Sequence, residues 1–373
     1  MQNNRYQKRR QAVYAWLTEE NLDAVIIEDT EGRRNTSLRY LCGMPSDALL
    51  LLTASGKSVL VPWDINLAEQ FGSADGLIPY SEFERRFETA VVRLAEKELS
   101  AKAKIELSSS TPVPVFDKIR EQFNGEVFCR DGGIDSLLDD LRAIKDPEEL
   151  EIYRKAAKIT DTVLAAVAET TAEGCDISEI DLAFLVEMKA RQLGAEGTGF
   201  ATLAAGPERS FAIHPFPNYG SSPWGTPGLS ILDFGICLEG YTTDVTTTVA
   251  RGPLSEKQRE MIDLVQKAHD EFLQDIRPGI SNREIALKVD NFFSTKGYTM
   301  PHSLGHGIGL AAHEAPILRS RKGNESELMP GMIFTIEPGL YDPELGGVRL
   351  ENDFLITDTG VEQLTNSRIY TYP

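Results

Sequence analysis

Hydrophobic positions in the first third of the chain fall in short runs. DAVIIED (23–29), ALLLLTA (48–54), KSVLVPW (57–63), KIEL (104–107) and EVFC (126–129) read as buried strands. Longer amphipathic stretches separate them, and SEFERRFETAVVRLAEKELS (81–100) predicts a helix. Strands alternating with helices predict an α/β domain, placed at residues 1–143.

The pattern then changes period. In AIKDPEELEIYRKAAKI, Asp146 suits an N-cap, Pro147 the first helical position and Glu149 the return arm of a capping box. Leu150, Tyr153, Ala157, Leu164 and Val167 form one helical stripe, and ISEIDLAFLVEMKARQLG predicts a second helix behind it. From Gly197 the segments GTGFATLAAG and LSILDFGICLEGYTTDVTTTVARG read as strands. Two helices follow (SEKQREMIDLVQKAHDEFLQDI and SNREIALKVDNFFSTKG), and GMIFTIEPGLY and GGVRLENDFLIT return to strand. Strand blocks kept apart from helix blocks predict an α+β domain over 144–373, its sheets mostly antiparallel with helices on one side. No solenoid or propeller period appears.

Composition narrows the classes. The 373 residues carry 38 Lys plus Arg against 57 Asp plus Glu, a net charge of −19. Such a surface repels nucleic-acid phosphates and anionic lipid, so neither a nucleic-acid nor a membrane partner is expected. Cys42, Cys129, Cys175 and Cys237 form no CxxC pair and read as reduced thiols. With no signal-peptide pattern and no long apolar run, a cytoplasmic location is expected.

The chemistry gathers in the second domain. Four of the five histidines, His214, His302, His306 and His313, lie in Gly- or Pro-rich segments, whereas His269 in the helix VQKAHDEF reads as a plain surface or helix-face residue. Asp233 and Asp244 sit on two β runs joined through Glu239 and Gly240; Glu337 and Glu351 flank a second Pro/Gly-rich turn. By period two, Arg349 and Glu351 share a face and Leu350 points away. Buried carboxylates demand a counter-charge. Four carboxylates and one imidazole are too oxygen-rich for a closed zinc site, and suit two divalent ions, whose four positive charges match them. Mn²⁺ or Co²⁺ suits such oxygen ligands best, and Zn²⁺ fits too. His302, one helical turn before His306 in sequence, reads as a supporting residue.

LRAIKDPEELEIYRKAAKITD, LDFGICLEGYTTDVTTT, HSLGHGIGLAAHEAP, FTIEPGLY and GGVRLEND resemble, in order and spacing, the motifs of the creatinase, aminopeptidase P and prolidase group of "pita-bread" metallopeptidases. NTSLRYLCGMPSDALLLLTASGKSVLV resembles that group's first domain. The resemblance implies a pita-bread catalytic domain behind a creatinase-type N-terminal domain, and a homodimer. It makes Asp233, Asp244, His306, Glu337 and Glu351 the metal ligands, with Asp244 and Glu351 bridging. It casts His214 and His313 as histidines at the scissile bond and Arg349 as the arginine near a substrate carboxylate. Glu337 would take the proton of the attacking water.

The implied activity is hydrolysis of the bond between a residue and a following proline, in a dipeptide or a longer peptide, with the dipeptidase favoured. Xaa-Pro aminopeptidase activity is the first alternative, small-molecule chemistry on the same fold the second and a binding scaffold the third. Phe211 or Tyr219 could line an apolar proline pocket. Two departures stand out. The family's Asp-Ile-Thr-Arg-Thr reads Asp244-Val245-Thr246-Thr247-Thr248 here, and the residues before His214 lack the usual Pro-His ending. Thr247 faces away from Asp244 by strand alternation, so its loss of charge concerns what lies behind the site.

Overall fold

The computed structural model describes residues 2–172, 177–323 and 325–373, so Cys175 lies outside the described residues; Cys42 and Cys129 are free thiols. The chain divides into two compact units, 1–142 and 143–373.

Each of the five strand segments read from the first unit forms a strand. They build a six-stranded mixed sheet in the order Gly76–Leu77, Ser58–Pro62, Ala48–Thr53, Ala24–Asp29, Lys104–Leu107, Glu126–Phe128. The three middle strands pair antiparallel and the outer ones parallel. Ile26, Leu49, Leu51, Val59 and Val61 pack against Ala90, Val91 and Leu94 of the helix Phe87–Glu98. One expectation fails here: the helical stretch from Ser81 is broken. A 3-10 turn, Tyr80–Phe83, ends where Glu84 and Arg85 take left-handed backbone angles (φ 58° and 54°), and the α-helix starts only at Phe87. Tyr80, Phe83 and Phe87 are all buried in one apolar cluster, so packing overrides local helix propensity.

The second unit is α+β, as its segregated blocks predict. A four-stranded sheet runs Tyr370–Tyr372, Val245–Arg251, Gly228–Phe234, Leu203–Ala205; a five-stranded one runs Glu314–Leu318, Gly305–Gly307, Ile333–Ile336, Asn352–Ile356, Val361–Gln363. A bridge between Thr246 and Glu351 joins them, and the hairpin Gly339–Asp342/Gly346–Arg349 stands beside it. Each sheet is backed by a helix pair. Val163, Leu164 and Val167 of Pro147–Ala172 and Leu182 and Val186 of Glu179–Gln192 bury Leu232, Phe234, Val245 and Val249. Met261, Val265 and Ala268 of Glu256–Leu273 and Ile285, Val289 and Phe293 of Asn282–Thr295 bury Phe334, Ile336, Leu350 and Phe354. Among the described residues no helix is long and apolar enough to cross a membrane.

The helix Pro147–Ala172 starts as its sequence predicts. Asp146 accepts from the N–H groups of Glu148 and Glu149 (3.0 and 2.9 Å), and Glu149 reaches back to the Asp146 N–H (2.9 Å). Replacing Asp146 by Ala orphans two of those N–H donors and is expected to lower stability by about 1 kcal/mol, read as a shift of the urea midpoint.

Candidate metal centre

The two sheets deliver their polar side chains to one place because alternation sends the apolar neighbours the other way. In Gly228–Phe234, Leu232 and Phe234 enter the core and Asp233 turns to the opposite side. Its register partner is Thr246 on Val245–Arg251, and Asp244 immediately precedes that strand. Leu350 likewise enters the core, leaving Arg349 and Glu351 to share the polar face.

His306 sits in the short strand Gly305–Gly307, where neighbouring strands come too close for side chains. A Cβ on Gly305 would stand 1.9 Å from the Thr335 carbonyl oxygen, and one on Gly307 2.0 Å from that of Ala315. His306 Nδ1 donates to the Gly307 carbonyl (3.1 Å), which leaves the Nε2 lone pair free. Nε2 is 3.7 Å from both Asp244 Oδ2 and Glu337 Oε1. Asp244, His306 and Glu351 offer ligand atoms all within 4.8 Å of one another. Two ligands each about 2.1 Å from one ion stand at most about 4.2 Å apart, so the 3.7 Å separations suit a shared ion.

The electrostatics call for a cation. Burial, then the charges of Glu351 and Asp233, hold the Asp244 carboxyl well above the usual carboxylate range. Burial and Glu351 do the same to Glu337, while Glu351 is pushed to about 7 by burial and Asp233. Asp233 Oδ1 and Asp244 Oδ1 are buried without a hydrogen-bond partner. Burial drives His306 down to about 4, so its imidazole is neutral and able to ligate. The residues present therefore fit a divalent metal: unpartnered carboxylate oxygens, one open imidazole nitrogen and too little positive charge.

Arg349 faces inward. It is 2% exposed; Nη2 donates to Asp233 Oδ2 (2.7 Å), Nε to Thr246 Oγ1 (2.9 Å), and Nη1 to the Tyr341 hydroxyl (2.9 Å) and the Ile213 carbonyl (3.1 Å). Tyr341 in turn donates to His302 Nε2 (3.0 Å), whose Nδ1 donates to the Ser303 carbonyl (2.8 Å). His302 thus supports the site, its Nδ1 3.8 Å from Glu337 Oε2. His214 and His313 are exposed, and the His313 ring lies 4.2 Å from that of His306. Phe211 is exposed and Tyr219 packs edge-on against Phe184. Thr247 is buried and donates to the Arg368 carbonyl (2.6 Å), occupying the space behind the strand with a neutral hydrogen bond.

Sequence reasoning missed three participants. Thr246 donates to Glu351 Oε2 (2.7 Å), and Asp353 accepts from the Asp244 N–H (3.1 Å). Period two could have found both, since Thr246 shares a face with Asp244 and Asp353 with Glu351. Tyr341 carries no comparable signal. His269 corrects an expectation outright: it is 4% exposed and buried against the strand that follows Glu351.

Two outcomes follow for the metal-free protein. Thr246→Val keeps the shape but removes the hydroxyl between Glu351 and Arg349; divalent-metal affinity is expected to fall about 10–100-fold in calorimetric titration. Glu351 has a raised folded-state pKa, so its contribution to stability is present below the unfolded value and lost as pH rises to about 7. His302 and His306, lowered to about 4, act oppositely, but only below about 6.5. The raised carboxyls of Asp244 and Glu337 act in the same direction as Glu351, so metal-free protein should lose stability as pH rises above about 6.5 in denaturant titrations, and saturating metal should reduce that loss.

Comparisons with known proteins agree with this geometry. Residues 151–358 match the model of metallopeptidase family M24, and residues 9–144 that of the creatinase/prolidase N-terminal domain. A Pyrococcus horikoshii protein named Xaa-Pro dipeptidase is 30% identical over 359 residues, 95% of this chain and 96% of its own. The crystal structure of a prolidase from Pyrococcus horikoshii superposes with TM-score 0.85 at 27% identity, covering 97% of this chain and 99% of that one. An X-Pro aminopeptidase from Thermotoga maritima superposes with TM-score 0.84 at 25% identity, covering 97% and 99%. The chain belongs to metallopeptidase family M24.

Proposed function

We propose that this protein is an Xaa-Pro dipeptidase that works with two divalent metal ions held by Asp233, Asp244, His306, Glu337 and Glu351. The observation that carries the reading is the set of buried, mutually repelling carboxylates with unpartnered oxygens beside an open imidazole nitrogen. The names of the relatives, Xaa-Pro dipeptidase and prolidase, support the substrate class. When bound, such ions polarise the scissile carbonyl and bring the pKa of a water near neutrality.

The side chains supply the rest. Glu337, whose Oε1 stands 3.7 Å from His306 Nε2 at the centre, would take the proton from the attacking water. His313, whose pKa is lowered by partial desolvation of its ring, is neutral near pH 7 and can donate an N–H to the developing oxyanion. His214 serves the leaving nitrogen, and Arg349 contributes to substrate binding by fixing the Ile213 carbonyl beside it. The buried Arg349 and the half-buried Tyr341 keep this frame rigid before substrate arrives. Proline offers no N–H, so the pocket must read ring shape and peptide termini.

The test is hydrolysis by metal-stripped protein reloaded with Mn²⁺, Co²⁺ or Zn²⁺, on Ala-Pro and on a longer Xaa-Pro peptide in parallel. Metal-dependent cleavage of the dipeptide with little on the longer peptide is the expected result. Preference for the longer peptide would make it an aminopeptidase, and cleavage of neither by metal-loaded protein would move the reading to small-molecule chemistry.

A further inference from the structure

A buried hydrogen-bond chain reaches Glu351 from the side away from the carboxylates. Asn352 follows Glu351 and points to the opposite face of the strand, as alternation requires. Its side chain is fully satisfied. Oδ1 accepts from the Ser367 backbone N–H (2.6 Å) and from Thr365 Oγ1 (3.3 Å), while Nδ2 donates to the Ser367 carbonyl (3.2 Å) and lies 3.2 Å from His269 Nε2. A backbone N–H can only donate and a backbone carbonyl only accept, so Ser367 fixes which end of the amide is which. The group facing His269 is then the NH₂. His269 Nε2 must be the acceptor, and the ring proton must sit on Nδ1, 2.9 Å from Asp270 Oδ1. Asp270 is 57% exposed, so the chain runs from solvent through a buried imidazole to the residue between Glu351 and Asp353.

We propose that His269, held in its Nδ1–H tautomer by Asp270, is a positioning residue that acts through Asn352 to set the Glu351 carboxylate for metal and the Asp353 carboxylate that holds the Asp244 backbone. Glu351 and Asp353 flank the clamped amide, and each holds a partner on the metal side: Glu351 Oε2 accepts from Thr246, and Asp353 Oδ2 from the Asp244 N–H. Rotating or releasing the Asn352 amide would move both. The motion would also loosen the backbone bond from the Glu351 N–H to the Thr246 carbonyl (3.1 Å), which joins the two sheets. His269 therefore acts on the centre without touching it. The inference rests on the reading of Glu351 as a metal ligand.

The test uses the full chain with Mn²⁺ as probe, read by calorimetric titration and by thermal unfolding of the metal-free form. His269→Leu removes the acceptor and should weaken Mn²⁺ binding about tenfold or more, whereas His269→Gln, whose carbonyl can accept from Asn352, should recover most of it. Equal affinity of His269→Leu and wild type would overturn the inference, as would a His269→Gln variant no better than Leu. Failure of the wild type itself to bind Mn²⁺ would instead defeat the metal-centre reading. Should His269→Leu not fold, ¹⁵N spectra of histidine-labelled wild type decide, with the His269 signals assigned by their loss in His269→Gln. A protonated Nδ1 and bare Nε2 at neutral pH are expected; an Nε2–H form overturns the inference.

Discussion

Like charges held out of water govern the second unit. Asp233, Asp244, Glu337 and Glu351 crowd into one region of low polarity, and Asp353 lies behind them without a partner for one of its oxygens. Arg349 is tied to one of these carboxylates, Asp233. An arrangement of this kind is stable only if protons or cations enter it, so the fold is built around a deficit of positive charge. Stability and chemistry share that origin: the repulsion that raises the carboxyl pKa values makes the site receptive to divalent ions.

The sheets make the crowding possible. Strand alternation lets Leu232, Phe234 and Leu350 bury themselves under helix pairs while the residues between them carry charge. Helices therefore supply the apolar burial that offsets the cost of the polar face, and the Thr246–Glu351 bridge brings the two faces together. Arg349 then ties strand, hairpin and loop into one frame through Asp233, Thr246, Tyr341 and Ile213. The outer histidines stand on exposed segments around that frame.

Much of this was legible in the residues. Capping signals located the helix at Pro147, and period two placed Arg349 and Glu351 on one side with Leu350 on the other. What escaped was set by long-range contact. The turn at Glu84 and Arg85 is decided by burial of Phe83 and Phe87, which no local propensity encodes. His269 looked like a helix-surface residue because its partner, Asn352, lies 83 residues away. Arg349 was associated with substrate, and its inward bonds to Tyr341 and Ile213 depend on a hairpin and a loop that meet only in the folded unit.

The glycines beside His306 bear on how such a protein can change. With no room for a Cβ on either side, the imidazole is fixed to a backbone pressed between neighbouring strands. Neither neighbour can drift to alanine without parting the strands, so the placement of this imidazole is closed to gradual variation. The His214 and His313 side chains, by contrast, are exposed to solvent. Substitution at those two exposed side chains therefore meets little resistance from packing, while the imidazole between the two glycines stays where the strands put it.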